Sequence, residues 1–186
     1  MNLPNKLTVL RVLMIPIFVA LYFMPSIPHN YLWALIVFAA ASLTDMLDGA
    51  IARKRGLITD FGALMDPLAD KLLVMSAMLC FVHSGHVHAV IVVVLLGREF
   101  LVTSIRLVAA SKGEVIAADR LGKLKTVFQM LWVCIGLLFI WQAGIACPAA
   151  NTFEMIFNVL TWLVLALTVI SGLNYVSRNR GLFADK

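Results

Sequence analysis

Four aspartates stand at fixed spacing in the stretch TDMLDGAIARKRGLITDFGALMDPLAD: Asp45, Asp48, Asp66 and Asp70. At 3.6 residues per turn, Asp45 and Asp48 occupy neighbouring positions on one helix face, and Asp66 and Asp70 do the same at i, i+4. A short turn over residues 54–65 would set the two helices antiparallel, with the carboxylate pairs facing each other. Four hard oxygen donors without a nearby Cys or His favour Mg²⁺ or Mn²⁺ over Zn²⁺. Two such cations would balance the four negative charges. Paired metals clamp the attacking and leaving oxygens of an in-line phosphoryl displacement. Gly49 and Ala52 have almost no side chain and leave room for a ligand, and Arg53 can pair with a phosphate.

A second polar set follows at Arg98, Glu99, Arg106, Lys123 and Lys125. Arg98 and Arg106 are eight residues apart and can share a helix face, with Glu99 orienting one of them. Cations beside an acidic metal site suit a ligand that carries its own phosphate. Lys112 and Arg120 lie in a loop, where a topological role is the better fit.

These groups need a scaffold, and composition says which kind. The chain has 186 residues, is 62% hydrophobic and has a mean hydropathy of +0.96. Soluble domains are usually less than half apolar. We therefore expect an all-α polytopic membrane protein, with residues 1–186 forming a single transmembrane catalytic domain. An Asp at the centre of an inserting helix costs roughly 2.5–3.5 kcal/mol, so the four aspartates belong at a wet edge.

A helix needs about 20 apolar residues to cross the hydrocarbon core. Six candidate spans run over 7–25, 31–53, 63–83, 87–111, 121–143 and 152–177. The connections 26–30, 84–86 and 144–151 contain no Lys or Arg. Lys6, Arg53, Lys54, Arg55, Lys112, Arg120, Arg178, Arg180 and Lys186 fall at the alternate ends. The bias predicts a cytoplasmic-membrane protein with both termini, the 2–3 loop and the 4–5 loop inside. The aspartates and the second polar set then share one cytoplasm-facing chamber. The N-terminal MNLPNKLTVLRVL has no A-x-A-like cleavage site, so the first segment is expected to remain as a helix.

The net charge of +5 suits anionic lipid headgroups and not nucleic acid, because the basic residues sit at segment ends on one side. Cys80, Cys134 and Cys147 form no C-x-x-C pair and read as small packing residues. His83, His86 and His88 cluster at an outer turn, away from any acid, and read as a polar loop. Trp132, Trp141 and Trp162 read as lipid-facing or packing residues. No P-loop, G-x-S-x-G elbow or dinucleotide fingerprint is present.

The pattern D-x2-D-G-x2-A-R-x8-G-x3-D-x3-D, from Asp45 to Asp70, resembles the signature of the CDP-alcohol phosphotransferases without a mismatch. Members move a phosphatidyl or related group from a CDP-linked donor to an alcohol and release CMP. The resemblance implies that Asp45, Asp48, Asp66 and Asp70 hold two divalent cations, Mg or Mn, with Asp70 as catalytic base. It implies that Asp45, Gly49, Ala52, Arg53 and Gly62 hold the CDP moiety of CDP-diacylglycerol. It further implies the family's six-helix fold and a homodimer among membrane lipids.

The stretches PNKLTVLR (4–11), ALMDPLADKLLV (63–74), GREFLVTSIR (97–106) and GKLKT (122–126) resemble the branch that uses sn-glycerol 3-phosphate and forms phosphatidylglycerophosphate. Arg98, Arg106, Lys123 and Lys125 would then bind the acceptor phosphate. Other acceptors of the same family remain alternatives: inositol phosphate, serine or phosphatidylglycerol. A divalent-cation transporter is the alternative from another class. Such ion sites usually lie near the midplane in broken or repeated helices, and no repeat is visible here.

Overall fold

The computed structural model describes residues 3–55, 60–113, 116 and 119–180, with side chains from Thr8 onward except at 45–64, 66, 67 and 70. The chain forms α1 (Leu3–Phe23), α2 (Asn30–Arg55), α3 (Asp60–His83), α4 (Ala89–Ser111), α5 (Arg120–Gly144) and α6 (Ala150–Arg178). There is no strand among the described residues. Each helix coincides with one of the six expected apolar segments to within a few residues at either end.

The ends of the helices follow local chemistry. The His88 side chain caps α4 by accepting from the Val90 N–H at 3.3 Å. Gly113, at φ +77°, stops the same helix, and its N–H donates to the Ala110 carbonyl. Only glycine takes up that left-handed position without a steric cost.

Helix α1 packs along α2 and α3, α5 along α6, and α4 against α6, while α2 meets α5. Three aromatic rings knit the middle of this bundle. Trp132 of α5 stacks on Phe157 of α6 at 5.6 Å between centroids. Phe81 of α3 meets both rings edge-on, each at 5.5 Å. Gly136 makes the cluster possible, since a Cβ there would lie 2.6 Å from Phe157 and 2.7 Å from Phe81. The buried Trp132 indole N–H is satisfied by Thr161 Oγ1 at 2.7 Å. Trp132 is therefore a packing residue, whereas Trp162 faces outward. Cys80 joins the same core, in keeping with its reading as a small packing residue.

The outer surface is apolar. Leu107, Leu173 and Trp162 are 72%, 68% and 67% exposed, alongside Leu13, Val93 and Val159. Water-soluble monomers do not present apolar faces on this scale, and the chain is membrane-associated. Two helices, α5 and α6, are long and apolar enough to cross a bilayer among the described residues. Among the residues whose side chains are described, the apolar parts of α1, α2 and α3 are Thr8–Phe23, Asn30–Thr44 and Lys71–His83. Six helices stand where six spans were expected, and two of them are spans by length and composition among the described residues. In α4 the charges Arg98, Glu99 and Arg106 interrupt the apolar run.

Candidate active site

Asp45, Asp48, Gly49, Ala52 and Arg53 lie on the last turns of α2, and Gly62, Asp66 and Asp70 on the first turns of α3. Their side chains lie outside the described residues. The helix backbones nevertheless carry both carboxylate pairs where α2 gives way to α3. Carboxylates are hard donors, and this donor set suits a hard divalent cation better than a softer one.

The second polar set is described in full. A chamber of about 180 Å³ lies between α3, α4, α5 and α6. Its wall includes Lys71, Arg98, Glu99, Thr103, Arg106, Lys123 and Tyr175. Pockets for drug-sized ligands usually measure about 300–1,000 Å³, so this one suits a small molecule.

Arg98 is held on several sides. Its Nε donates to Ser171 Oγ at 3.2 Å and its Nη1 to Glu99 Oε1 at 3.1 Å. Glycines on two helices make room for it. A Cβ on Gly122 would sit 3.0 Å from Arg98 Nη2, and one on Gly172 would sit 3.2 Å from Arg98 Cγ. Arg106, two turns further along α4, donates from Nε to the Tyr175 hydroxyl at 3.2 Å. Its guanidinium carbon also stands 5.7 Å from the centroid of the Tyr175 ring. Lys71 Nζ donates to Thr103 Oγ1, which in turn donates to the Glu99 carbonyl.

The chamber brings together three of the four basic residues expected to bind the acceptor phosphate: Arg98, Arg106 and Lys123. It does not include Lys125. That side chain is 1% exposed, and its Nζ lies 2.6 Å from Glu99 Oε1. Glu99 thus bridges Lys125 and Arg98, as its expected orienting role required. The second wall carboxylate, Asp119, is engaged by Arg178 at 3.5 Å and by Asn174 Nδ2 at 3.0 Å. Both carboxylates therefore already have cations. Lys71, Arg106 and Lys123 have no carboxylate partner among the described residues, and the chamber is positive.

Lys71, Ser171, Gly172 and Tyr175 were not singled out from the sequence. Lys71 directly follows Asp70, and a signal was available in that adjacency. The α6 residues lie in a continuous apolar segment whose pattern carries no hint of a ligand site.

The histidine cluster behaves as a polar turn. His88 caps α4, and His83 meets the Phe23 ring edge-on at 4.9 Å. Burial holds the His86 imidazole below its ordinary range, partly opposed by Glu154. The described residues contain no cluster of three or more His, Cys, Asp or Glu able to hold a metal ion.

Known proteins bear on this site. The chain is 41% identical to the Bacillus subtilis (strain 168) CDP-diacylglycerol–glycerol-3-phosphate 3-phosphatidyltransferase, over 96% of this chain and 95% of that protein. A protein of the same name from Haemophilus influenzae is 34% identical, over 99% and 96% respectively. A probable phosphatidylglycerophosphate synthase of Mycobacterium tuberculosis is 38% identical, over 95% of this chain and 81% of that one. The profile of the CDP-alcohol phosphatidyltransferases matches residues 1–170, and the chain belongs to that family.

Proposed function

We propose that this protein transfers a phosphatidyl group from CDP-diacylglycerol to sn-glycerol 3-phosphate, giving phosphatidylglycerophosphate and CMP. The observation that carries the acceptor is the small positive chamber, in which Lys71, Arg106 and Lys123 are not neutralised by described carboxylates. Its size suits a three-carbon phosphate. The names of the full-length relatives support the same acceptor.

Arg98, Arg106 and Lys123 receive the phosphate dianion, with Arg106 offering the paired N–H geometry that suits phosphate oxygens. Lys125 acts at one remove, by fixing Glu99 and through it Arg98. Asp45, Gly49, Ala52, Arg53 and Gly62 hold the CDP moiety. Asp45, Asp48, Asp66 and Asp70 hold two divalent cations, Mg²⁺ or Mn²⁺. When bound, these ions neutralise the pyrophosphate and polarise the phosphorus under attack.

Asp70 accepts the proton of the acceptor 1-hydroxyl. The freed oxygen bonds to the diacylglycerol-linked phosphorus, the pyrophosphate bond to the bridging oxygen breaks, and CMP departs. Positioning and charge neutralisation supply most of the acceleration in such transfers. All six helices span the cytoplasmic membrane, with the site and both termini facing the cytoplasm, and the enzyme works as a homodimer.

The test is CMP release by the purified protein with CDP-diacylglycerol, Mg²⁺ or Mn²⁺, and one acceptor at a time. Release with glycerol 3-phosphate alone is expected. Release with inositol phosphate, serine or phosphatidylglycerol instead would keep the donor chemistry and overturn the acceptor. Asp70→Asn should abolish turnover while leaving donor binding largely intact, and near-normal turnover would remove Asp70 as base.

A further inference from the structure

The polar chamber does not end at Lys71 and Arg106. A second cavity of about 360 Å³ shares both residues with it, together with Glu99 and Thr126, and continues between α3, α4 and α5. Away from the shared residues its wall is largely apolar, with Met75, Met78, Phe100 and Met130 among the lining side chains. Gln129 also borders it, with its amide N–H facing the Met78 sulfur at 3.4 Å.

The direction of this groove is informative. From Lys71 to Met78 it follows α3 away from the polar end, a distance of about 10 Å at 1.5 Å per residue. Going from Arg106 back to Leu96 on α4, and from Thr126 on to Met130 on α5, leads the same way. The groove therefore starts at Lys71, Arg106 and a Glu99 already paired with Arg98 and Lys125, and runs along the helix axes into the apolar part of the bundle. An anionic lipid has the same polarity along its length. Methionines are unbranched and polarisable and fit themselves to a flexible chain more readily than branched residues do.

We propose that this groove holds one acyl chain of the CDP-linked donor lipid, with Lys71 at its mouth beside the lipid phosphate and Arg106 left to the acceptor. The proposal rests on the transferase reading above and adds to it a seat for a tail within the protein. Transfer of a chain from bilayer to groove exchanges one apolar environment for another and brings no hydrophobic gain. The groove's contribution is registration: a seated chain fixes the depth and orientation of the phosphorus relative to the acceptor chamber.

Photocrosslinking tests this on the full-length protein in liposomes. The probe is a CDP-linked lipid bearing a diazirine midway along one acyl chain. Adducts are expected on residues 74–78, 96–100 and 126–130, reduced severalfold by Met75→Trp and retained in Met75→Leu. Met75→Trp should also lower kcat/KM for a dioleoyl donor about tenfold relative to a dihexanoyl donor, whose chains are too short to fill the groove. Adducts spread evenly over outward residues such as Val93, Val159 and Trp162 would overturn the proposal, because the chain would then lie in bulk lipid. Adduct loss on dimer formation would also overturn it, because a second copy would then cover the groove. A protein that crosslinks in the groove but releases no CMP would refute the transferase reading alone. One that releases CMP but crosslinks elsewhere would refute the groove alone.

Discussion

Lys125 shows how a charge can serve a site without touching the ligand. Its ammonium is almost wholly enclosed and faces Glu99, which also receives Arg98. Stripping the partner from a buried charge costs about 3–5 kcal/mol, far more than removing both members together. Glu99→Gln should therefore lower the unfolding temperature in detergent sharply. Glu99→Gln combined with Lys125→Met should recover much of that loss. Strictly additive penalties in this double-mutant cycle would show that the two are uncoupled. Arg106 lies in the chamber wall and is engaged by Tyr175 alone among the described residues. Arg106→Ala should raise KM for glycerol 3-phosphate at least about tenfold, as loss of a charged hydrogen bond implies, and leave KM for the donor nearly unchanged. Equal rises for both substrates would count against a phosphate-binding role. Gly122→Ala should act on the same parameter more weakly, by pressing on the Arg98 guanidinium 3.0 Å away.

At the scale of elements, the aromatic cluster makes a sharper demand than any polar contact. Gly136→Ala places a methyl group within 2.7 Å of two rings contributed by α3 and α6. Overpacking of this kind costs about 1–3 kcal/mol, and the variant should melt earlier with its acceptor KM unaltered. Wild-type stability would mean that the rings can slide apart. The six helices were legible in the sequence because long apolar runs separated by Pro, Gly and charge punctuation are strong signals. So was the sharing of one helix face by Arg98 and Arg106, which simple periodicity dictates. The role of α6 was not legible. Tyr175 reaches the chamber, and Ser171 and Gly172 reach Arg98 in its wall, only because α6 packs on α4, and a local pattern does not record which helices become neighbours. The withdrawal of Lys125 from the wall was hidden for the same reason. Its pairing with Glu99 spans two helices and depends on burial that spacing does not encode.

For the whole molecule, the distribution of charge along the chain and the apolar outer surface make one joint demand. The turn after α4 carries Lys112, while the turns after α3 and α5 carry no Lys or Arg. Basic residues are retained on the cytoplasmic side during insertion, so successive turns should alternate across the bilayer. That alternation requires even the charge-interrupted helices to span, with their polar residues turned inward or toward the wet end. Cysteine accessibility can decide this. In a background with Cys80, Cys134 and Cys147 replaced by Ala, Lys112→Cys should react with a membrane-impermeant maleimide only in inside-out vesicles. Ala146→Cys, in the turn between α5 and α6, should react only in right-side-out vesicles. Labelling of both from the same face would mean that α5 does not cross. A chamber built from α3, α4, α5 and α6 would then have to open at an interface, not at a cytoplasmic face.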